Sequence, residues 1–207
     1  RMSEIYTYRI EVFTSGLLIA GAYDMPIYRR ISDALNGDLR RYLALRDATV
    51  APLAQPQQGQ RVPELLVDRT EALLVTVIEE PPAPPEYYGR DELDRSQVSR
   101  ATQPMLFFTA AFVLRGDFFK RPDVSLAESL ERSTDDFLPL SNVQIYPLGG
   151  GAALNRSFAC LSRQRISALC PVPGSVPIIA PTAMPPPPPP PLPDREGWGL
   201  GEPDLPT

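Results

Sequence analysis

The chain contains an internal repeat: the stretch from Phe13 to Leu53 aligns without a gap on the stretch from Phe108 to Leu148 when the sequence is displaced by 95 residues. Eight of these 41 positions are identical. The apolar positions keep their character, as where Leu17, Leu18 and Ile19 face Phe112, Val113 and Leu114. A core pattern that is kept while the surface changes indicates that one small domain occurs twice.

The sequence of each copy predicts a mainly β (α+β) unit with one short helix. In the first copy, alternating and β-branched residues predict a hairpin over residues 4–13 and 17–23, followed by a helix over residues 30–36. Further strands are predicted over residues 41–50, 64–67 and 72–78. Because small β units tend to curl and so limit their open edges, we expect two tandem barrel-like β domains that pack on each other.

Two pairs of equivalent residues predict local backbone features. Gly21 and Gly116 lie inside the second strand of each copy, where glycine usually marks a bulge or a close backbone approach. Asp47 and Asn142 occupy equivalent places in the third strand. A shared Asx residue at one position predicts a shared turn or bulge.

Proline sets the predicted boundaries. The 26 prolines are concentrated between the copies and after Cys170, so we predict a first domain over residues 4–80, a linker over 81–104, a second domain over 105–172 and an extended tail over 173–207. The run of seven prolines from Pro185 to Pro191 predicts polyproline II.

The composition argues against several functions. A net charge of −5 disfavours a nucleic-acid-binding surface, which needs clustered Lys and Arg. The sequence has no histidine, so the commonest general base, the Ser-His and Cys-His nucleophile pairs and most transition-metal sites are missing. We therefore expect no enzymatic activity, cofactor or metal.

Location and cysteine chemistry follow from simple patterns. No cleavable leader or apolar run long enough to cross a bilayer is visible, so a cytoplasmic protein without a transmembrane segment is expected. Cys160 and Cys170 are too few for a disulfide framework and are interpreted as small buried apolar residues.

Four segments carry a resemblance to a known family: Gly21-Ala22-Tyr23-Asp24-Met25-Pro26, Arg30-Ile31-Ser32-Asp33-Ala34-Leu35-Asn36, Tyr42-Leu43-Ala44-Leu45-Arg46-Asp47-Ala48-Thr49-Val50 and Leu66-Val67-Asp68-Arg69. They resemble a small bacterial domain family of unknown function, in which a strand ending in Gly and Pro leads to an Arg-Leu-Ser-Asp-Leu-Leu-Asn helix and then to a Leu-Thr-Asp-Ala strand. The second copy matches more loosely. The resemblance implies a bacterial origin and the domain boundaries, and it implies no activity.

The tail holds the candidate partner-binding residues, which are Pro190, Pro191, Leu192, Pro193, Arg195 and Trp198. A proline-spacer-proline pattern followed by Arg is typical of segments that dock on aromatic grooves, because polyproline II is already ordered. The chain's single Trp in an otherwise polar end could anchor such a contact. A solvated spacer is the competing interpretation.

The favoured hypothesis is therefore a non-enzymatic assembly or adaptor protein whose tail docks on another protein or a multi-subunit complex. The alternative is a regulatory module that binds a small anionic ligand or a nucleotide in the cleft between the copies. In that case Arg69 and Arg163, which lie in equivalent turns, would hold the ligand.

Overall fold

The computed structural model describes residues 4–38, 40–87, 101–120, 123–174 and 178–179. These residues form one antiparallel β-sheet with a few short helical segments. The prediction of a mainly β protein is confirmed.

The first half of the structure holds five strands and one short helix, Ile31–Gly37. Its strands are β1 (Tyr6–Phe13), β2 (Leu17–Met25), β3 (Tyr42–Pro52), β4 (Gln60–Asp68) and β5 (Leu74–Glu79). Turns of 3-10 helix, Pro56–Gln58 and Arg69–Glu71, connect β3 to β4 and β4 to β5.

Apart from the turn between the third and fourth strands, the second half has the same order of elements, with a helix at Leu126–Glu131 and a 3-10 turn at Arg163–Arg165. Its strands are β6 (Ala101–Phe108), β7 (Phe112–Lys120), β8 (Phe137–Pro147), β9 (Leu154–Ser162) and β10 (Ala168–Pro171). A further two-residue strand, β11 (Ile178–Ile179), pairs with β6.

The strand order along the sheet is β10-β6-β7-β8-β9-β5-β1-β2-β3-β4. Each half therefore has the same internal order, with its fifth strand beside its first and its fourth strand at the far side. The two packed barrel-like domains expected from the sequence stay a prediction, because the structure shows one open sheet in which β9 pairs with β5. This pairing covers two strand edges that would otherwise face solvent.

Two strands extend beyond the predicted domain boundaries. Strand β6 begins at Ala101, inside the predicted linker 81–104, and Pro104 lies opposite Asp117 of β7. Strand β11 lies inside the predicted tail 173–207. A strand can hold a proline where no partner needs its amide, and the division of the chain into domains stays a prediction.

The predicted bulges are confirmed in both halves. Asp47 and Asn142 have positive φ angles of 47° and 51°. The register of β2 with β3 shifts beside Gly21, and that of β7 with β8 shifts beside Gly116. A Cβ atom on Gly21 would lie 3.0 Å from the Leu45 Cβ, so the close approach favours glycine there.

The sheet carries two hydrophobic cores. Val75 and Cys160 belong to the core of the first half, whereas their chain neighbours Leu74 and Leu161 belong to the core of the second half. Because successive strand residues point to opposite faces, the two cores lie on opposite faces of the sheet where the halves meet.

Candidate functional site: the junction and the two ends of the sheet

The junction is the contact between β5 and β9. Three residue pairs face each other across it: Leu74 and Leu161, Val75 and Cys160, and Thr76 and Ala159. All six are fully buried. The junction is thus covered on both faces of the sheet, because the core of the first half packs on one face and the core of the second half packs on the other.

Aromatic side chains extend the junction beyond these strands. Phe13 of β1 packs edge-on against Phe112 of β7, with ring centroids 6.0 Å apart, and belongs to the core of the second half. Phe137 of β8 makes the reverse crossing and belongs to the core of the first half. The Arg69 guanidinium lies 5.4 Å from the centroid of the Phe137 ring, which adds a cation–π contact.

Two polar contacts fix the first-half helix and its neighbouring turn onto the second half. The Asn36 side chain donates to the carbonyl of Phe137 at 3.0 Å and accepts from the Phe137 amide at 2.8 Å. Arg69 pairs with Asp136 at 3.2 Å and also donates to the carbonyl of Asp38. Both contacts satisfy backbone or charged groups that packing of the halves removes from water.

Further ion pairs cross the junction. Arg156 of β9 binds the Glu11 carboxylate of β1 through two nitrogens, at 2.7 and 2.9 Å, and this hydrogen bonding raises the pKa of the guanidinium. Thr76 donates to the same carboxylate at 2.9 Å. Arg165 pairs with Glu71 at 2.8 Å, which links the two 3-10 turns.

The two ends of the sheet expose large apolar side chains. At the β4 end, Leu17, Tyr42 and Leu66 are 41%, 44% and 66% exposed. In the second half, Phe108 of β6, beside β10, is 36% exposed, and Leu148, which follows β8, is 61% exposed. Their exposure makes these ends the candidate interaction surface, because exposed large apolar side chains are common in binding sites.

Each of these exposed residues aligns, in the displaced sequence, with a residue that lies at the junction or packs on its cores. Displacement by 95 residues relates Leu17 to Phe112, Tyr42 to Phe137 and Phe13 to Phe108, and displacement by 94 relates Leu66 to Cys160. The four counterparts, Phe112, Phe137, Phe13 and Cys160, are no more than 1% exposed. Leu53, the counterpart of Leu148, packs against the second core. The internal alignment pairs these residues, but only the strand order shows which member of each pair is exposed. The sequence alone does not predict that strand order.

The predicted tail residues, from Pro190 to Trp198, lie outside the described residues. The alternative ligand residues are both engaged in structural contacts. Arg69 pairs with Asp136, and its side chain is only 11% exposed. Arg163 donates to the carbonyls of Leu130 and Ser133, while its Nε is buried without a partner among the described residues. A ligand role for either arginine remains a prediction.

The cysteines differ in their surroundings. Cys160 is fully buried in the junction, and desolvation raises the pKa of its thiol well above the usual range. Cys170 of β10 is partly exposed. The described ranges contain no group of three or more His, Cys, Asp or Glu residues that could hold a metal ion, and no helix within them is long and apolar enough to cross a membrane.

Comparison with protein-family models, with curated proteins and with solved structures finds no match. The resemblance to a bacterial domain family therefore stays a prediction from the sequence. Function has to be argued from the surfaces of this chain.

Proposed function

We propose that the protein is a non-enzymatic assembly or adaptor protein, built from two repeats of one small β unit. The support for a repeat is the agreement between sequence and topology. Residues aligned by displacement lie at equivalent positions in the strand order of each half, and Asp47 and Asn142 share the same positive φ. Two unrelated halves would not be expected to share both features.

In this proposal each half is a curled, barrel-like unit within the common sheet. β4 and β5 lie on opposite sides of the first half, yet a single turn at Arg69–Glu71 connects them. The corresponding turn at Arg163–Arg165 connects β9 and β10. Such short connections favour strong curling, because a few residues reach only a limited distance.

The observation that carries the functional proposal is the exposure of Tyr42 and Leu66 at one end of the sheet and of Phe108 at the other. Large apolar side chains at both ends suit a protein that works by binding other chains. Charged residues near the junction form contacts between the halves, which suits a rigid scaffold.

The proline-rich tail supplies a second contact in this proposal. Pro190 to Pro193, with Arg195, would dock as polyproline II on an aromatic groove of a partner protein. Trp198 would fill a pocket beside that groove. The partner would be another protein or a larger complex, and no nucleic acid is required.

A capture experiment tests the tail. The full chain, a version ending at Gly174 and the full-length variant Trp198→Ala are each used to retain proteins from a lysate, and the retained proteins are identified by mass spectrometry. The purified partner is then titrated against all three. We expect binding by the full chain, weaker binding by Trp198→Ala and none by the truncated chain. Equal binding by all three would contradict a docking role for the tail.

The same proteins separate the anionic-ligand alternative. If nucleotides or phosphate raise the melting temperature of both the full and the truncated chain, and if Arg163→Ala loses that shift, then ligand binding replaces the adaptor proposal.

A further inference from the structure

We propose that the protein associates head to tail with a second copy of itself, the β4 edge of one chain pairing with the β10 edge of the next. This inference rests on the repeat interpretation made above but uses the sheet instead of the tail. Within the chain, the fourth strand of one half (β9) pairs with the fifth strand of the other (β5). The remaining fourth strand, β4, and the remaining fifth strand, β10, are the two ends of the sheet.

The register of this contact follows from the junction. Because Leu161 faces Leu74, Cys160 faces Val75 and Ala159 faces Thr76, the equivalent pairs between chains are Val67 with Ala168, Leu66 with Leu169, and Leu65 with Cys170. Pro63 and Pro171 lack a backbone donor, but both lie outside these three pairs. The two edges can therefore form the same short ladder with one hydrogen bond fewer, because Pro171 stands where Val77 supplies the outermost amide of the junction.

The apolar surfaces at the two ends complement each other. In the joined pair, Phe108 of one chain would meet Leu17 of the other, as Phe13 meets Phe112 at the junction. Tyr42 and Leu66 would enter the core of the neighbouring chain, as Phe137 and Cys160 enter the core of the first half. The contact would bury the side chains that the isolated chain leaves exposed.

At the positions where the junction has polar residues, the proposed contact between chains has apolar residues in both chains. Glu11, Thr76 and Arg156 form a hydrogen-bonded cluster at the junction. Their equivalents are Leu106, Cys170 and Val62, all partly buried in the single chain. No charge is left without a partner by this exchange, because the acidic, basic and hydroxyl members are replaced together.

The pair formed by Arg165 and Glu71 can be repeated between chains. These two residues are equivalent to each other under the displacement of 94, so the contact between chains again places a Glu71 beside an Arg165. The Glu71 side chain is 58% exposed and the Arg165 side chain is 37% exposed, which leaves each free to take a second partner. Glu71 and Arg165 would thus alternate along the assembly.

Two junction contacts are missing at the outer ends, so the contact between chains should be weaker than the junction. The counterpart of Asn36 is Glu131, whose carboxylate can accept from a backbone amide but cannot donate to a carbonyl. The counterparts of Arg69 and Asp136 are Arg163 and Arg41, and Arg41 already pairs with Asp68 at 3.0 Å. We expect association that depends on protein concentration.

Sedimentation velocity of the full chain over a range of concentrations tests the proposal. The contact is heterologous, so it generates either rings or filaments, and both support it. Leu66→Lys should abolish association, because the ammonium group would be buried in the neighbouring core. Ile27→Lys is the matched control, since Ile27 is 60% exposed but belongs to neither β4 nor β10. Its association should equal that of the unaltered chain.

A variant that associates more tightly than the unaltered chain gives a test whose positive result misfolding cannot produce. Glu131→Asn restores the donor that Asn36 supplies at the junction, and one added hydrogen bond should tighten association by about two- to tenfold. No tightening would argue that the outer contact does not copy the junction. A full chain that stays monomeric throughout, or an assembly that is insensitive to Leu66→Lys, would overturn the proposal.

Covalent trapping fixes the register. Leu65→Cys should form a disulfide with the native Cys170 of a second chain, because directly opposed residues of antiparallel strands have Cα atoms about 4.5–5.5 Å apart. The double variant Leu65→Cys, Cys170→Ser is the control and should give no dimer. The chain ending at Gly174 should still associate, so a failure of this proposal is distinguishable from a failure of tail docking.

Discussion

Phe13 and Phe112 meet edge-on at the junction, with ring centroids 6.0 Å apart and an interplanar angle of 83°. Phe13 is fully buried, whereas its counterpart Phe108 is 36% exposed. We expect Phe13→Ala to lower the free energy of unfolding by about 3–5 kcal/mol, because it opens a cavity in the core. Phe108→Ala should cost far less in the dilute chain. Urea unfolding of both variants measures the difference, and equal losses would contradict the assignment of Phe13 to the junction.

Asn36 bonds both the amide and the carbonyl of Phe137. Removal of its side chain leaves these backbone groups without their partner, so Asn36→Ala should destabilise the protein by about 1–3 kcal/mol. Glu131→Ala changes the equivalent residue of the second-half helix, which is exposed, and serves as the control. Equal effects of the two substitutions in urea unfolding would contradict the clamp on Phe137, because alanine does not lower helix propensity at either position.

The glycines of the two bulges differ in the room around them. A Cβ on Gly21 would lie 3.0 Å from the Leu45 Cβ, whereas a Cβ on Gly116 would find its nearest neighbour at an ordinary 3.5 Å. Gly21→Ala should therefore destabilise the protein by about 1–3 kcal/mol through overpacking. Gly116→Ala should change stability by less than about 1 kcal/mol. A reversed order in thermal unfolding would show that the close approach at Gly21 is wrongly described.

Asp24 gives the native protein a dependence on pH. Hydrogen bonds from Arg46, and secondarily from Thr7, hold the pKa of its carboxyl below the ordinary value. The unfolded chain has a pKa of about 3.9 at this residue, so the stabilisation is complete above that value and is lost as the pH falls through the lower native pKa. Stability should drop between pH 6 and pH 3.

Two variants assign part of that drop to the pair. Asp24→Asn and Arg46→Gln each remove the interaction, so both should show a smaller loss of stability between pH 6 and pH 3 than the unaltered chain. Urea unfolding at the two pH values is the measurement. An unchanged pH dependence in both variants would place the acid-sensitive groups elsewhere.

The sequence predicts much of each half and little of how the halves combine. Alternating apolar residues place the strands, and Asp47 with Asn142 marks the bulges correctly, because these are local features of the chain. Pairing of β5 with β9 is not local. It depends on which strand edges remain open after each half has formed, and neither Leu74 nor Cys160 carries a sequence signal for its partner.

The same limit applies to the candidate surface. Leu66 and Cys160 are both apolar, and only the strand order shows that the first lies at an end of the sheet while the second is covered. Proline-rich composition drew attention to the tail instead, because a polyproline run is visible without any knowledge of the fold.

Amide hydrogen exchange at low and high protein concentration tests the central claim most directly, since the claim is that the ends of the sheet copy its junction. The account predicts that the amides of Leu66 in β4 and Leu169 in β10, the equivalents of the donors Cys160 and Val75, become protected as concentration rises. Those of residues 74–76 and 159–161, already paired at the junction, should be protected at every concentration. Exchange at the two ends that is independent of concentration, or weak protection at the junction, would contradict it.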